Sequence, residues 1–247
     1  MSTNNIPLVE FCGQSNAGLR RLENEDSYRI EPDLGMCLVA DGVGGAAAGE
    51  LASRFFSDAA FEVFRNAADR IENHVVERIQ KAFLLANQRI LQHAKLHPDH
   101  KGLACTAELM AFSNEGFVVG HLGDSRTYRF RNGQLKQLTR DHSLVQAQIE
   151  QGIIKPEAAL AYPWRNVILR AVGTDEEFEL DLIRGRIHPQ DHFLLCSDGL
   201  TDLVPDELIR QTLLSSKNLK QKLDELIGMA LKGGGTDNIT VVILSVS

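Results

Sequence analysis

Four aspartates stand where an apolar run of the sequence stops or starts. Asp41 follows "MCLVA", Asp124 follows "GFVVGHLG", Asp198 follows "HFLLCS", and Asp237 precedes "NITVVILSV". Glycine adjoins the first three, and Asp237 comes just after the run Gly233 to Gly235. Strand ends lie at the rim of a sheet, where chain segments meet, so these carboxylates are expected to converge. Converging carboxylates repel, and keeping them ionised in a partly desolvated site requires cations among them. Oxygen-only ligation selects hard divalent ions such as Mg²⁺ or Mn²⁺, and glycine beside a ligand lets backbone and water approach closely. Any single Asp-Gly pair is common turn chemistry, but four such positions are harder to assign to turns.

Upstream, "GLRRLENEDSYRI" places Arg21, Glu25 and Asp26 in a short polar segment between two strands. Alone it reads as a solvated charged loop. Beside metal-bound carboxylates, an arginine is a natural phosphate clamp, because its guanidinium matches two phosphate oxygens. The stretch "CLVADGVGGAAAGE" also fits a G-x-G-x-x-A nucleotide loop at Gly42, Gly44 and Ala47. That reading requires a βαβ unit with an acidic residue ending the next strand about 20 residues on. The following "FFSDAAFEVFRNAADR" reads as helix instead, and Asp41 would set a carboxylate near the pyrophosphate. A dinucleotide-binding oxidoreductase is therefore rejected.

The elements that must position these groups are mostly strands. β-type runs recur as "LVEFCGQS", "SYRIE", "MCLVA", "TAELMAF", "GFVVGHLG", "RTYRFR", "QLKQL", "FELDLIRGRI", "HFLLCS" and "ITVVILSV". Asn132-Gly133 between two of them predicts a tight hairpin. Helical segments are expected from about Ala48 to Ala68, with Phe55, Ala59 and Phe61 to Val63 on the apolar face. A second runs from about Ile71 to Leu96, with Val75, Ile79, Phe83, Ala86 and Ile90. A later pair covers Pro205 to Leu214 and about Leu219 to Leu231, stopped by the glycines that follow. Strands and helices do not alternate one by one, so the expected class is α+β, antiparallel sheets with helix pairs packed outside. Residues Arg140 to Asn166 read as a polar, mostly helical flap.

At 247 residues, 43% hydrophobic and 24% charged, the composition is that of an ordinary globular protein. A net charge of −7 argues against a nucleic-acid or anionic-membrane partner. With no signal-like start or apolar run long enough to span a bilayer, a cytoplasmic location is expected. Cys12, Cys37, Cys105 and Cys196 form no C-x-x-C pair and read as reduced structural thiols without the basic setting of a nucleophile. His97 and His100 of "HPDH" read as a solvated helix-end loop, and His121 as a satisfied sheet histidine. His142 is placed at the start of the flap.

Taken together, the segments resemble the metal-dependent protein phosphatases of type 2C in their bacterial single-domain form. "GLRRLENED", "VADGVGG" with "AAGE", "GLACTAEL", "VGHLGDSRTYRFRNG", "LTRDHSLV", "YPWRNVILRAVG", "LLCSDGLTD" and "GGGTDNITVVI" run in the family's order from about Gly13 to Val246. The resemblance implies a four-layer αββα sandwich, two central antiparallel β-sheets flanked by helix pairs, in one catalytic domain over residues 1–247. It implies two Mn²⁺ or Mg²⁺ ions and a third site in bacterial relatives. Asp41 would bridge two metals with the Gly42 carbonyl on one of them, and Asp198 and Asp237 would hold the other. Glu25 or Asp26 would reach the second metal directly or through water. Asp124, with Asp198 and an assisting Asp202, would form the third site, and Arg21 would bind the substrate phosphate. The implied activity is in-line hydrolysis of phosphoserine and phosphothreonine in proteins by a water bridging two ions about 3.5–4 Å apart. The implied partners are phosphorylated proteins and an opposing serine/threonine kinase, with the phosphatase a monomer.

Three positions depart from the family pattern. Ala46 stands where a histidine is usual after D-G-M-G-G, and Val43 where animal relatives carry a histidine proposed as general acid. "YPWRN" replaces H-P-x-R-N, with Tyr162 for the histidine and the chain's only tryptophan at Trp164. Two rivals share the fold: a non-catalytic phosphoprotein-binding module, opposed by the presence of Asp41, Asp198, Asp237 and Arg21, and a hydrolase of small phosphoesters.

Overall fold

The computed structural model describes residues 8–43, 48–67 and 69–247. Among the described residues, ten strands form two antiparallel sheets, and period-two alternation within each apolar run explains how both faces are buried. One sheet is ordered β1 (Val9–Asn16), β10 (Ile239–Val246), β9 (His192–Cys196), β6 (Arg126–Arg131), β7 (Gln134–Gln137). The other is ordered β2 (Asp26–Glu31), β3 (Met36–Val43), β4 (Ala104–Phe112), β5 (Phe117–Leu122), β8 (Asp181–Gly185).

Along β3, Cys37 and Val39 pack with Met110, Phe193, Leu195 and Val242 between the sheets. Their neighbours Met36, Leu38 and Ala40 turn outward beneath α1 (Gly49–Phe64) and α2 (Glu72–Leu96). Along β10, Val242 and Leu244 point inward, whereas Val241 and Ile243 meet α4 (Asp198–Thr201), α5 (Asp206–Leu214) and α6 (Leu219–Lys232). The result is the expected four-layer αββα arrangement. Asn132 (φ 50°) and Gly133 (φ 76°) make the expected β6–β7 turn, whose two left-handed residues suit Asn-Gly.

Some expectations shift. The buried stripe of α1 is Ala52, Phe56, Ala59, Ala60 and Phe64 rather than one built on Phe55 and Phe61 to Val63. Several apolar side chains crowd that helix, and the neighbouring phase lets Phe56 meet Phe83 of α2 edge-on at 4.8 Å. The predicted face of α2 is buried as expected. "FELDLIRGRI" contributes only Asp181–Gly185. Within 140–166, only α3 (Leu144–Glu150) and a 3₁₀ turn (Pro156–Ala161) are helical, because Gly152, Pro156 and Pro163 interrupt the segment. No described helix is long and apolar enough to cross a membrane.

Candidate functional site

The strand ends do bring the carboxylates together. Asp41 lies near the end of β3, Asp124 in the β5–β6 turn, Asp198 at the first residue of α4, and Asp237 just before β10. With Arg21, Glu25, Gly42, Val43, Asn166, Ile168 and Asn238 they line a cavity of about 260 Å³ at one end of the sandwich. Asp26 lies behind this wall, buried, and its Oδ2 accepts a 2.8 Å hydrogen bond from Ser197 Oγ. Glu25 is thus the member of the pair that faces the cavity. Ala46 lies outside the described residues.

Local sequence explains this convergence. Gly42 has no room for a Cβ, which would stand 2.2 Å from the Gly49 carbonyl oxygen and 2.7 Å from that of Glu25. Glycine therefore lets the start of α1 and the Glu25 loop close onto the end of β3. Gly123 (φ +115°) makes the turn that delivers Asp124, packed against Thr106. Arg21 donates a 2.8 Å hydrogen bond to Asp237 Oδ2. Asp202 pairs at 3.1 Å with Arg165 of "YPWRN" and does not line the cavity. In that same segment Trp164 is exposed.

Asn238 has a structural role here that its sequence position does not announce. Its Nδ2 donates to the carbonyls of Ala17 (3.0 Å) and Glu23 (2.9 Å), and its Oδ1 accepts from Glu25 N–H (2.8 Å). One amide thus stitches the loop carrying Arg21 and Glu25 to the strand that follows Asp237. Asn166 and Ile168 extend the wall from the flap side. Their sequence signal is the "YPWRNVILRAVG" motif.

The electrostatics are those of a cation site. Burial, then repulsion from Asp26, Asp198, Asp124 and Asp237, pushes the Asp41 carboxyl well above the ordinary range. Asp198 is displaced the same way, by burial and then by Asp124, Asp202 and Asp237. Burial raises Asp26 to about 6 and, with repulsion from Asp141, Asp124 to about 7. Glu25 is also raised by burial, partly offset by the Gly49 N–H and Arg21. Among the described residues, no three His, Cys, Asp or Glu side chains already stand at the spacing of a formed metal cage. The carboxylates line the cavity wall instead. The donor set nevertheless fits hard divalent ions: it is all oxygen, and Asp26 Oδ1 is buried without a hydrogen-bond partner.

His121 is the satisfied sheet histidine expected. His121 is buried between Glu108, at its Nδ1, and the Arg140 carbonyl, 2.8 Å from Nε2. Burial opposes its charged form, but Glu108 and the Arg140 carbonyl carry its pKa above the ordinary value. His97 and His100 lie at the exposed end of α2 as expected, and there His93 Nε2 lies 2.9 Å from His100 Nδ1 and the His93 and His97 rings stack at 4.3 Å. These rings stack rather than aim at one point. Cys37, Cys105 and Cys196 are buried free thiols whose pKa burial raises, and Cys12 is half-buried.

Comparison with known proteins accords with this geometry. The family model described as "Protein phosphatase 2C" matches residues 20–232. The serine/threonine protein phosphatase PstP of Mycobacterium tuberculosis is 35% identical over 239 residues, 97% of this chain but 45% of that protein. The chain therefore spans about half the length of this relative. The serine/threonine phosphatase stp of Listeria monocytogenes is 35% identical over 96% of this chain and 91% of its own length. The catalytic domain of PstP, solved in complex with two manganese ions, superimposes with a TM-score of 0.85 at 34% identity, covering 96% of this chain and 98% of that one. A family match over most of the sequence, relatives alike along nearly all of it, and a shared sandwich lead to one assignment: the chain belongs to the protein phosphatase 2C family.

Proposed function

We propose that the chain is a metal-dependent serine/threonine protein phosphatase, hydrolysing phosphoserine and phosphothreonine in proteins at the Asp41 cavity. The observation that carries this reading is the meeting of Asp41, Asp124, Asp198, Asp237 and Glu25 around one cavity with Arg21 at its edge. Asp41, the Gly42 carbonyl, Asp198 and Asp237 would hold two Mn²⁺ or Mg²⁺ ions, Glu25 or Asp26 would support them, and Asp124 would serve a third. Bound there, such ions supply Lewis acidity toward the phosphoryl oxygens and lower the pKa of the attacking water.

The chain's own residues do the rest. Arg21 exchanges its contact with Asp237 for the substrate phosphate, presenting two N–H groups to two oxygens. Ser197 and Asn238 hold Asp26 and the Glu25 backbone in place beside the cavity. The flap over residues 140–166, through Asn166 at its end and with Ile168 just beyond it, forms the wall that faces the protein substrate. The substrates are products of an opposing serine/threonine kinase, and the phosphatase acts as a cytoplasmic monomer.

The test strips metal with EDTA and restores Mn²⁺, following phosphate release from phosphothreonine, phosphoserine and phosphotyrosine peptides and from a small alkyl phosphate. The reading expects Mn²⁺-restored activity that favours the first two substrates. Preference for the alkyl phosphate would point instead to a small-phosphoester hydrolase.

A further inference from the structure

His142 grips the turn that carries Asp124 from both sides of one residue. Its backbone N–H donates to the Gly123 carbonyl at 2.7 Å, and its ring Nδ1 accepts from the Gly123 N–H at 3.1 Å. Gly123 cannot relax away from this grip, because it is left-handed (φ +115°) and sits against Thr106 on its other side. The next residue is Asp124, in the cavity wall.

The ring is itself held. It packs on the His121 ring, with centroids 4.5 Å apart, and Nε2 lies 3.2 Å from Asp181 Oδ2 and 2.9 Å from Arg170 Nη1. Arg170 in turn donates to Asp181 Oδ1 at 2.9 Å. The His142 carbonyl accepts from Leu169 N–H at 2.7 Å. A side chain fixed at both nitrogens and both backbone groups transmits its geometry to Gly123. None of these contacts touches the cavity, so the effect on chemistry is indirect.

We propose that His142 is a positioning residue for Asp124, acting through the hydrogen bond that its Nδ1 accepts from the Gly123 amide. The proposal rests on the phosphatase reading for its link to metal loading, but its structural half does not. The two ring nitrogens can be separated chemically. In His142→Asn, the amide oxygen stands near the position of Nδ1 and keeps an acceptor for Gly123. In His142→Gln, the longer amide reaches the position of Nε2 and keeps the Arg170 and Asp181 contacts but leaves Gly123 N–H without its partner.

Two measurements test this. In metal-free protein, amide hydrogen exchange at Gly123 is expected to speed up by at least ~10-fold in His142→Gln and to stay within about 3-fold of wild type in His142→Asn. In the assay, the Mn²⁺ concentration giving half-maximal phosphopeptide turnover is expected to rise by ~10-fold in His142→Gln, with peptide KM unchanged, and to be restored in His142→Asn. The reverse order, with Gln tolerated and Asn defective, would overturn the proposal by moving the function to the Arg170–Asp181 side. Equal behaviour of both variants would overturn it too, since a packing role alone predicts that. If wild type showed no Mn²⁺-dependent turnover, the phosphatase reading would fail while Gly123 exchange still decided the positioning role.

Discussion

Asp26 and Asp41 lie directly opposite each other on the antiparallel strands β2 and β3. Like charges at such a pair are destabilising, and here burial removes the water that would screen them. The pair is therefore strained in the protein alone and is suited to a cation.

This strain gives the first expectation. In metal-free protein, Asp41→Asn removes one of the opposed charges and is expected to stabilise the fold by about 1 kcal/mol, or ~3 °C in Tm. The stabilisation that Mn²⁺ confers on wild type should disappear in the same variant. Thermal unfolding with and without Mn²⁺ measures both, and a lower metal-free Tm for Asp41→Asn would count against a repulsive pair.

Gly42→Ala forces a Cβ to within 2.2 Å of the Gly49 carbonyl oxygen, a backbone atom that cannot swing aside. The start of α1 must move, at a cost of about 3 kcal/mol. Urea unfolding reads this as a lower midpoint with the slope unchanged, and an unaltered midpoint would show that the helix start shifts freely.

The contribution of sequence differs between these two positions. Asp41 was legible because an apolar run ends on it, and the same pattern found Asp124, Asp198 and Asp237. The tightness at Gly42 depends on Gly49 and Glu25, which only the folded chain brings to it. Asn238 shows the same limit more strongly, since its partners Ala17 and Glu23 lie more than two hundred residues away in the chain. The phase of α1 was missed because too many of its residues are apolar for periodicity to choose one face. Antiparallel sheets with helix pairs outside were legible because strands and helices do not alternate one by one, and the four layers came from the family resemblance.

Arg21 makes a half-exposed ion pair with Asp237, the two side chains being 50% and 30% exposed. Such a pair contributes little to stability, so Arg21→Ala should change unfolding free energy by no more than about 0.5 kcal/mol. Loss of the phosphate clamp should nevertheless lower kcat/KM for a phosphothreonine peptide by ~10²-fold. Steady-state kinetics beside urea unfolding separates the two effects, and an unaffected kcat/KM would remove Arg21 from the site.

His142 supplies a pH dependence of stability. Burial, followed by the nearby His121 and Arg170, lowers its pKa from 6.5 to about 4, against an opposing pull from Asp181. The unfolded state then binds the proton more readily, so this contribution is complete above about pH 6.5 and lost as pH falls toward 4. Urea unfolding from pH 7 to pH 4 should show wild type losing more stability than His142→Asn, whose side chain does not titrate. Parallel pH profiles would refute the depressed pKa.

The most direct test of the carboxylate centre is phosphothreonine-peptide turnover as a function of Mn²⁺ for wild type, Asp198→Asn and Asp237→Asn. Wild type should be activated by Mn²⁺ and silenced by EDTA, and each variant should fall by at least ~10²-fold at saturating Mn²⁺ while remaining folded. Unchanged turnover in either variant, or wild-type activity that survives chelation, would contradict the assignment.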